Sequence, residues 1–202
     1  MVRSSFLWVL LVVLGLNSCN SDHDIPIVKN SQILGEFLKM KEPHLLNLLQ
    51  NSAAGRPLYL CLTVQEGAEK LPLARKEIFV YQADVSGEYQ SEIPGKENTA
   101  KIRGTGITDL DGRVLVRTLL PGDFGSIDLN RHIQVQIDGA YPKLHRIYFR
   151  QFANCEIQNQ SRKETETHIV DLERDEASNL VAFLKLEVNL STKPENNFSS
   201  TQ

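Results

Sequence analysis

Two stretches of this chain carry residue types and spacings suited to chemistry. They are VYQADVSGEYQ, Val80 to Gln90, and, some forty residues later, RHIQVQ, Arg131 to Gln136. The first reads like the entry to a metal-dependent site: an apolar strand, an acidic turn, then Tyr89 in Gly87-Glu88-Tyr89. The second reads as a strand that sets one histidine and one amide on the same face. These are His132 and, two residues on, Gln134. Taken singly, Tyr89 also reads as a packing residue at a strand–turn junction, and His132 as a core or surface histidine. Arg131, Arg146 and Arg150 read as solvated charges or, if clustered, as a set that binds an anion. Asp109 and Asp111 read as turn residues rather than a carboxylate pair for acid–base work. Neither a Ser-His-Asp or Cys-His arrangement nor a Cys-x-x-Cys pair suggesting zinc is legible by spacing.

These residues need elements to hold them. Residues 1–18 read as a signal peptide, with Arg3 before the apolar run FLWVLLVVLGL, which is too short to span a bilayer comfortably. LNSC, ending at Cys19, resembles a bacterial lipobox, which implies cleavage before Cys19, lipidation there, and a lipid anchor in a bacterial membrane of the cell envelope. Residues 19–30 then serve as a lipidated tether. Apolar spacing over residues 31–54 predicts helix, divided into two short pieces by Pro43. From Leu58 the period changes to two. Leu58–Gln65, Glu77–Ala83, Gly104–Asp109, Arg113–Leu119, His132–Asp138, His145–Phe149 and Leu180–Leu190 read as strands. The expected fold is all-β, an antiparallel β-sandwich over residues 55–190 with a short N-terminal helical segment. Gln158 to Glu176 reads as a polar loop or short helix, and residues 191–202 as a disordered tail. Cys61 and Cys155 either pair in an oxidising compartment or, for Cys61 in its apolar strand, stay a buried thiol. The net charge is −3, with 22 basic and 25 acidic side chains and no basic stripe, so nothing points to nucleic acid.

In order and spacing, IFVYQADVSGEY, RGTGITDLDGRVLVRTLLPGDFG and RHIQVQIDGAYPKLHRIYF resemble the intradiol ring-cleavage dioxygenases from about Leu58 to Phe149. Transthyretin-like accessory domains share the architecture. The resemblance implies a β-sandwich and a ferric ion held by two tyrosines and two histidines, acting on a catechol-like aromatic. Carried over residue by residue, it implies Tyr89 and His132 as metal ligands. The second tyrosine falls on Phe124, after Pro121-Gly122-Asp123, and the second histidine on Gln134. The family's arginine falls on Leu129, with Arg131 nearby, and its glutamine on Arg146. Two of four ligands are thus replaced. The expectation is a degenerate member serving as a binding or structural module for a small aromatic or anionic ligand. The alternative is an active Fe(III) dioxygenase in which Asp123 or Gln134 fills in and Arg131 or Arg146 orients substrate or oxygen. His145 falls on the strand face opposite Arg146 and is expected to point away.

Overall fold

The computed structural model describes residues 25–49, 55–67, 69–125, 130–153 and 165–190. The signal segment, Cys19, Leu129, Cys155 and residues 191–202 lie outside them. The described chain forms two β-sheets packed face to face. Among the described residues there are one α-helix, α1 (Ser31–Leu38), and twelve strands: β1 (Leu45–Asn47), β2 (Pro57–Glu66), β3 (Leu71–Pro72), β4 (Glu77–Gln82), β5 (Ile102–Ile107), β6 (Arg113–Leu119), β7 (Asn130–Ile137), β8 (Ala140–Tyr141), β9 (Leu144–Ala153), β10 (Thr165–Val170), β11 (Glu173–Arg174) and β12 (Leu180–Leu190). The first sheet runs β1-β6-β2-β12-β11, with β3 and β8 paired at its margins; the second runs β10-β9-β7-β4-β5.

Alternation of apolar and polar residues drives this arrangement, because neighbouring side chains on a strand face opposite ways. Leu58, Leu60, Leu62 and Val64 of β2, and Leu180, Ala182, Leu186 and Val188 of β12, line the core from one side. Ile78 and Val80 of β4, Ile133, Val135 and Ile137 of β7, and Ile147 and Phe149 of β9 meet them from the other. Each sheet also has a covered outer face. On the first, α1 lays Leu34 and Phe37 over Cys61, Leu115 and Val181. On the second, Tyr81, Ala83, Tyr89 and Ala100 cluster with Phe79, Phe124 and Leu144.

The sandwich agrees with the sequence reading, and all seven expected strands form. Three of its features differ. First, the sheets are mixed: β12–β2, β10–β9 and β1–β6 pair parallel. Second, the helix expected after Pro43 is strand β1. Leu45 packs outward with the α1 cluster while Leu46 enters the core, a period of two that the leucine-rich run conceals. The room for Leu46 comes from β5, where a Cβ on Gly104 would meet Leu46 Cδ1 at 2.8 Å. Third, the polar segment Gln158–Glu176 contains β10 and β11 rather than a loop or short helix. Thr165, Thr167 and Ile169 alternate with Glu166, His168 and Val170, and the long strand β9 offers them a free edge. Cys61 is a buried free thiol, its pKa pushed up to about 12 by burial.

Candidate functional site

Most of the residues singled out by sequence come together on the outer face of the second sheet. Register sets their order. Tyr81 on β4 is opposite Gln134 on β7, and Gln134 is opposite Arg146 on β9. One pair along, His132 is opposite Tyr148. Ile133, Val135 and Ile147 fill the core, so the period of two obliges these neighbours to point outward.

Two loops lean over this face and bring in Tyr89 and Phe124. Their backbones touch at glycines. Gly87 has φ +87°, and a Cβ there would stand 1.9 Å from the Asp123 carbonyl oxygen; one on Gly122 would stand 2.4 Å from that of Val85. Only glycine permits both the conformation and the approach. The Gly122 N–H donates to the Asp84 carbonyl at 2.8 Å. The Asp84 carboxylate ties the tyrosine loop together, accepting from the Ser86 and Glu88 N–H groups, the Ser86 hydroxyl and the Gln90 amide. Burial disfavours the Asp84 charge, yet these hydrogen bonds outweigh it and hold its pKa below the ordinary value. Tyr89 and Phe124 consequently meet edge to face, centroids 5.0 Å apart.

The polar groups under these rings form a continuous chain of hydrogen bonds. Tyr81 donates its hydroxyl to Gln134 Oε1 at 3.0 Å. Gln134 Nε2 donates to the Tyr89 oxygen at 2.6 Å and to Glu97 Oε2 at 2.7 Å. The Tyr89 hydroxyl lies 3.1 Å from His132 Nε2, and His132 Nδ1 lies 3.1 Å from the Asn130 carbonyl. A carbonyl only accepts, so Nδ1 carries the proton, Nε2 is the acceptor and Tyr89 donates to it. Tyr89, His132 and Gln134 are 5%, 6% and 1% exposed, so water contributes little to satisfying them. Burial, with Glu97 nearby, pushes the Tyr89 phenol well above its usual range. Burial also lowers His132, and the Arg146 charge adds to it. At neutral pH both are uncharged.

The structure thus gathers Tyr89, Phe124, His132, Gln134 and Arg146. Arg146 bears electrostatically on Tyr81, Tyr89, His132 and Tyr148, and its Nε is buried without a hydrogen-bond partner. Two expected candidates, Asp123 and Arg131, are elsewhere. The Asp123 carboxylate accepts from the Asn130 N–H at 2.9 Å and from Arg131 Nε at 3.2 Å, which withholds it from Tyr89. Arg131 is held by that pair and by stacking its guanidinium 4.3 Å from the Phe152 ring centroid. It is therefore not the cation beside the site. His145 shares the inward parity of Ile147 and Phe149, as expected from its place on the strand. Sequence reasoning missed Glu97 and Tyr81. Glu97 sits in a short 3₁₀ turn, Glu97–Thr99, within an aperiodic loop, and no local pattern marks it. Tyr81 was legible as a strand residue of the same face parity as Phe79.

No protein-family model matches the chain, and no curated protein sequence matches it. Solved structures do. An intradiol ring-cleavage dioxygenase from Tetranychus urticae superposes with TM-score 0.52 at 21% identity, over 77% of this chain and 92% of that one. The fold is that of the intradiol dioxygenases. The dioxygenase domain of a dioxygenase–carbohydrate-binding fusion from Streptomyces sp. SirexAA-E matches over 75% of this chain and 93% of its own, at 20% identity and TM-score 0.51. Catechol 1,2-dioxygenase from Pseudomonas arvilla C-1 gives TM-score 0.57 at 17% identity, over 75% of this chain and 58% of that one. The intradiol dioxygenase sandwich therefore accounts for three quarters of the present chain.

Proposed function

We propose that this chain is a membrane-anchored lipoprotein carrying an intradiol dioxygenase-like domain whose metal position is occupied by hydrogen bonds, and that the domain acts as a binding or structural module. The observation that carries this reading is Gln134. Its amide donates to both the Tyr89 oxygen and Glu97 and accepts from Tyr81, so the lone pairs a ferric ion would need are engaged within the protein. A hard Fe(III) centre of the family type draws on two phenolates and two imidazoles. Here Phe124 offers only carbon, the Gln134 amide is a weak neutral donor, and Tyr89 is held as a phenol. The residues present do not fit the family's ion. Arg146, opposite Gln134 and with its Nε buried and without a hydrogen-bond partner, is the cation that bears on this site, and a small aromatic or anionic ligand is the class it suits.

A second reading has an observation of its own. Glu97 places a carboxylate beside Tyr89 and His132, and its negative charge replaces the one lost with Phe124. Tyr89, His132 and Glu97 would then form a rebuilt site with ferric iron as cofactor and a catechol as substrate. One measurement separates the two. The chain from residue 19 with Cys19→Ser is loaded with ferric iron, freed of excess, and its bound iron and visible spectrum are recorded before and after catechol. The module reading expects no retained iron and no tyrosinate charge-transfer band. One retained ion per chain, with a band that shifts on adding catechol, makes the dioxygenase reading the correct one.

A further inference from the structure

A second cluster of metal-binding side chains lies on the inner side of the same sheet, at its β10 edge. The parallel pairing of β9 and β10 sets Glu166 beside His145 and His168 beside Ile147. Glu166 and His168 are two residues apart and face the same way as His145. Their ligand atoms converge. His145 Nδ1 lies 3.1 Å from His168 Nε2, and Glu166 Oε2 lies 3.7 Å from the first and 3.9 Å from the second. The imidazoles stack, centroids 5.3 Å apart at 29°.

We propose that His145, Glu166 and His168 form a binding site for one divalent transition-metal ion of the zinc type, with a fourth position open toward solvent. The spacing supports this. Ligands at about 2.0–2.1 Å from a tetrahedral zinc ion stand about 3.3 Å from one another, and the three observed separations bracket that value. The donor set is also the right one: two imidazoles and one carboxylate suit a borderline cation better than a hard one. Hydrogen bonding alone leaves the group incomplete. Two ring nitrogens 3.1 Å apart share a single proton, and Glu166 Oε2 stands 3.7 and 3.9 Å from them, beyond hydrogen-bond reach. Access comes from one side, where the Glu166 side chain is 46% exposed and His168 14%. An ion here would clip the edge strand β10 to β9.

This site is independent of what Tyr89 and His132 hold, and the test keeps the two apart. The full chain, solubilised in mild detergent and stripped with chelator, is titrated calorimetrically with zinc, and with cobalt(II) for its visible spectrum. One equivalent should bind, giving the spectrum of a tetrahedral ion with nitrogen and oxygen ligands. His168→Asn and Glu166→Gln should each weaken binding at least about tenfold, and Tyr89→Phe should leave it unchanged. Glu166 is half exposed, so Glu166→Gln serves even if the histidine variant unfolds. Absence of binding to the parent chain, undiminished binding in Glu166→Gln, or loss of binding in Tyr89→Phe would each overturn the proposal.

Discussion

Gln134 decides how the outer face of the second sheet behaves. It occupies a position where the family resemblance places an imidazole, and its two-ended amide does what an imidazole would not: it donates to two oxygens and accepts from a third. Gln134→Ala should therefore destabilise the fold by about 1–3 kcal/mol, since it leaves the buried Tyr81 hydroxyl without its acceptor and the half-buried Glu97 carboxylate without its donor. Denaturant titration at neutral pH measures it. Restoring the family's ligands is the converse test. Phe124→Tyr together with Gln134→His should give a chain that retains ferric iron and shows a tyrosinate band, because Gly87 and Gly122 already hold the two loops in place. Failure of that double variant to bind iron would mean that more of the centre has been lost than two side chains. The family resemblance sets Phe124 and Gln134 at ligand positions because they sit in fixed registers after Pro121-Gly122 and His132. It did not show Glu97, whose contribution depends on a loop folding back over β7, nor that Asp123 would turn to Arg131 instead of the site.

At the scale of elements, the turn from Asp84 to Gln90 carries the most consequence. Gly87→Ala adds a methyl group into the Asp123 carbonyl and forces a side chain into a left-handed conformation. A loss of at least about 1–3 kcal/mol is expected, with Tyr89 displaced and its fluorescence altered. Asp84 gives the same turn a pH dependence. Its folded pKa is below its unfolded value, so its contribution is complete above about pH 4 and fades as pH falls through the folded value. The difference in stability between the parent and Asp84→Asn should be about 1 kcal/mol or less at pH 7, given the partial exposure of the carboxylate. It should close on acidification; a difference that widened toward low pH would contradict the assignment. The elements the sequence concealed share one cause. β1 lies in a leucine run whose spacing fits a helix as well as a strand. β10 lies in a stretch so polar that its alternation of Thr and Ile with Glu and His carries little hydrophobic signal. In both, a neighbouring strand edge decided the outcome, and an edge is a tertiary fact.

For the whole molecule, the informative place is where the chain enters the sandwich. Ile25 is 1% exposed and belongs to the main core, and the next residues pair with β11: Val28 N–H donates to the Arg174 carbonyl at 2.8 Å, and Arg174 N–H to that of Pro26 at 2.7 Å. The described contacts with the sandwich begin at Ile25, six residues after the proposed lipidation site at Cys19. Six residues reach about 20 Å at full extension, so a lipid on Cys19 would hold this domain against the membrane surface rather than on a long leash. Anchoring and folding should then separate cleanly by position. Cys19→Ser should move the protein from the membrane fraction to the soluble fraction and leave its melting temperature unchanged. A Gly/Ser insertion after Asn20 should change neither fractionation nor melting. Ile25→Ala should do the reverse, leaving the protein with the membrane while costing about 2–5 kcal/mol of stability, the range for emptying a buried aliphatic site. If Cys19→Ser stays with the membrane, the anchor is not the lipid. If Ile25→Ala is as stable as the parent, the tether extends further into the chain than its contacts with β11 imply.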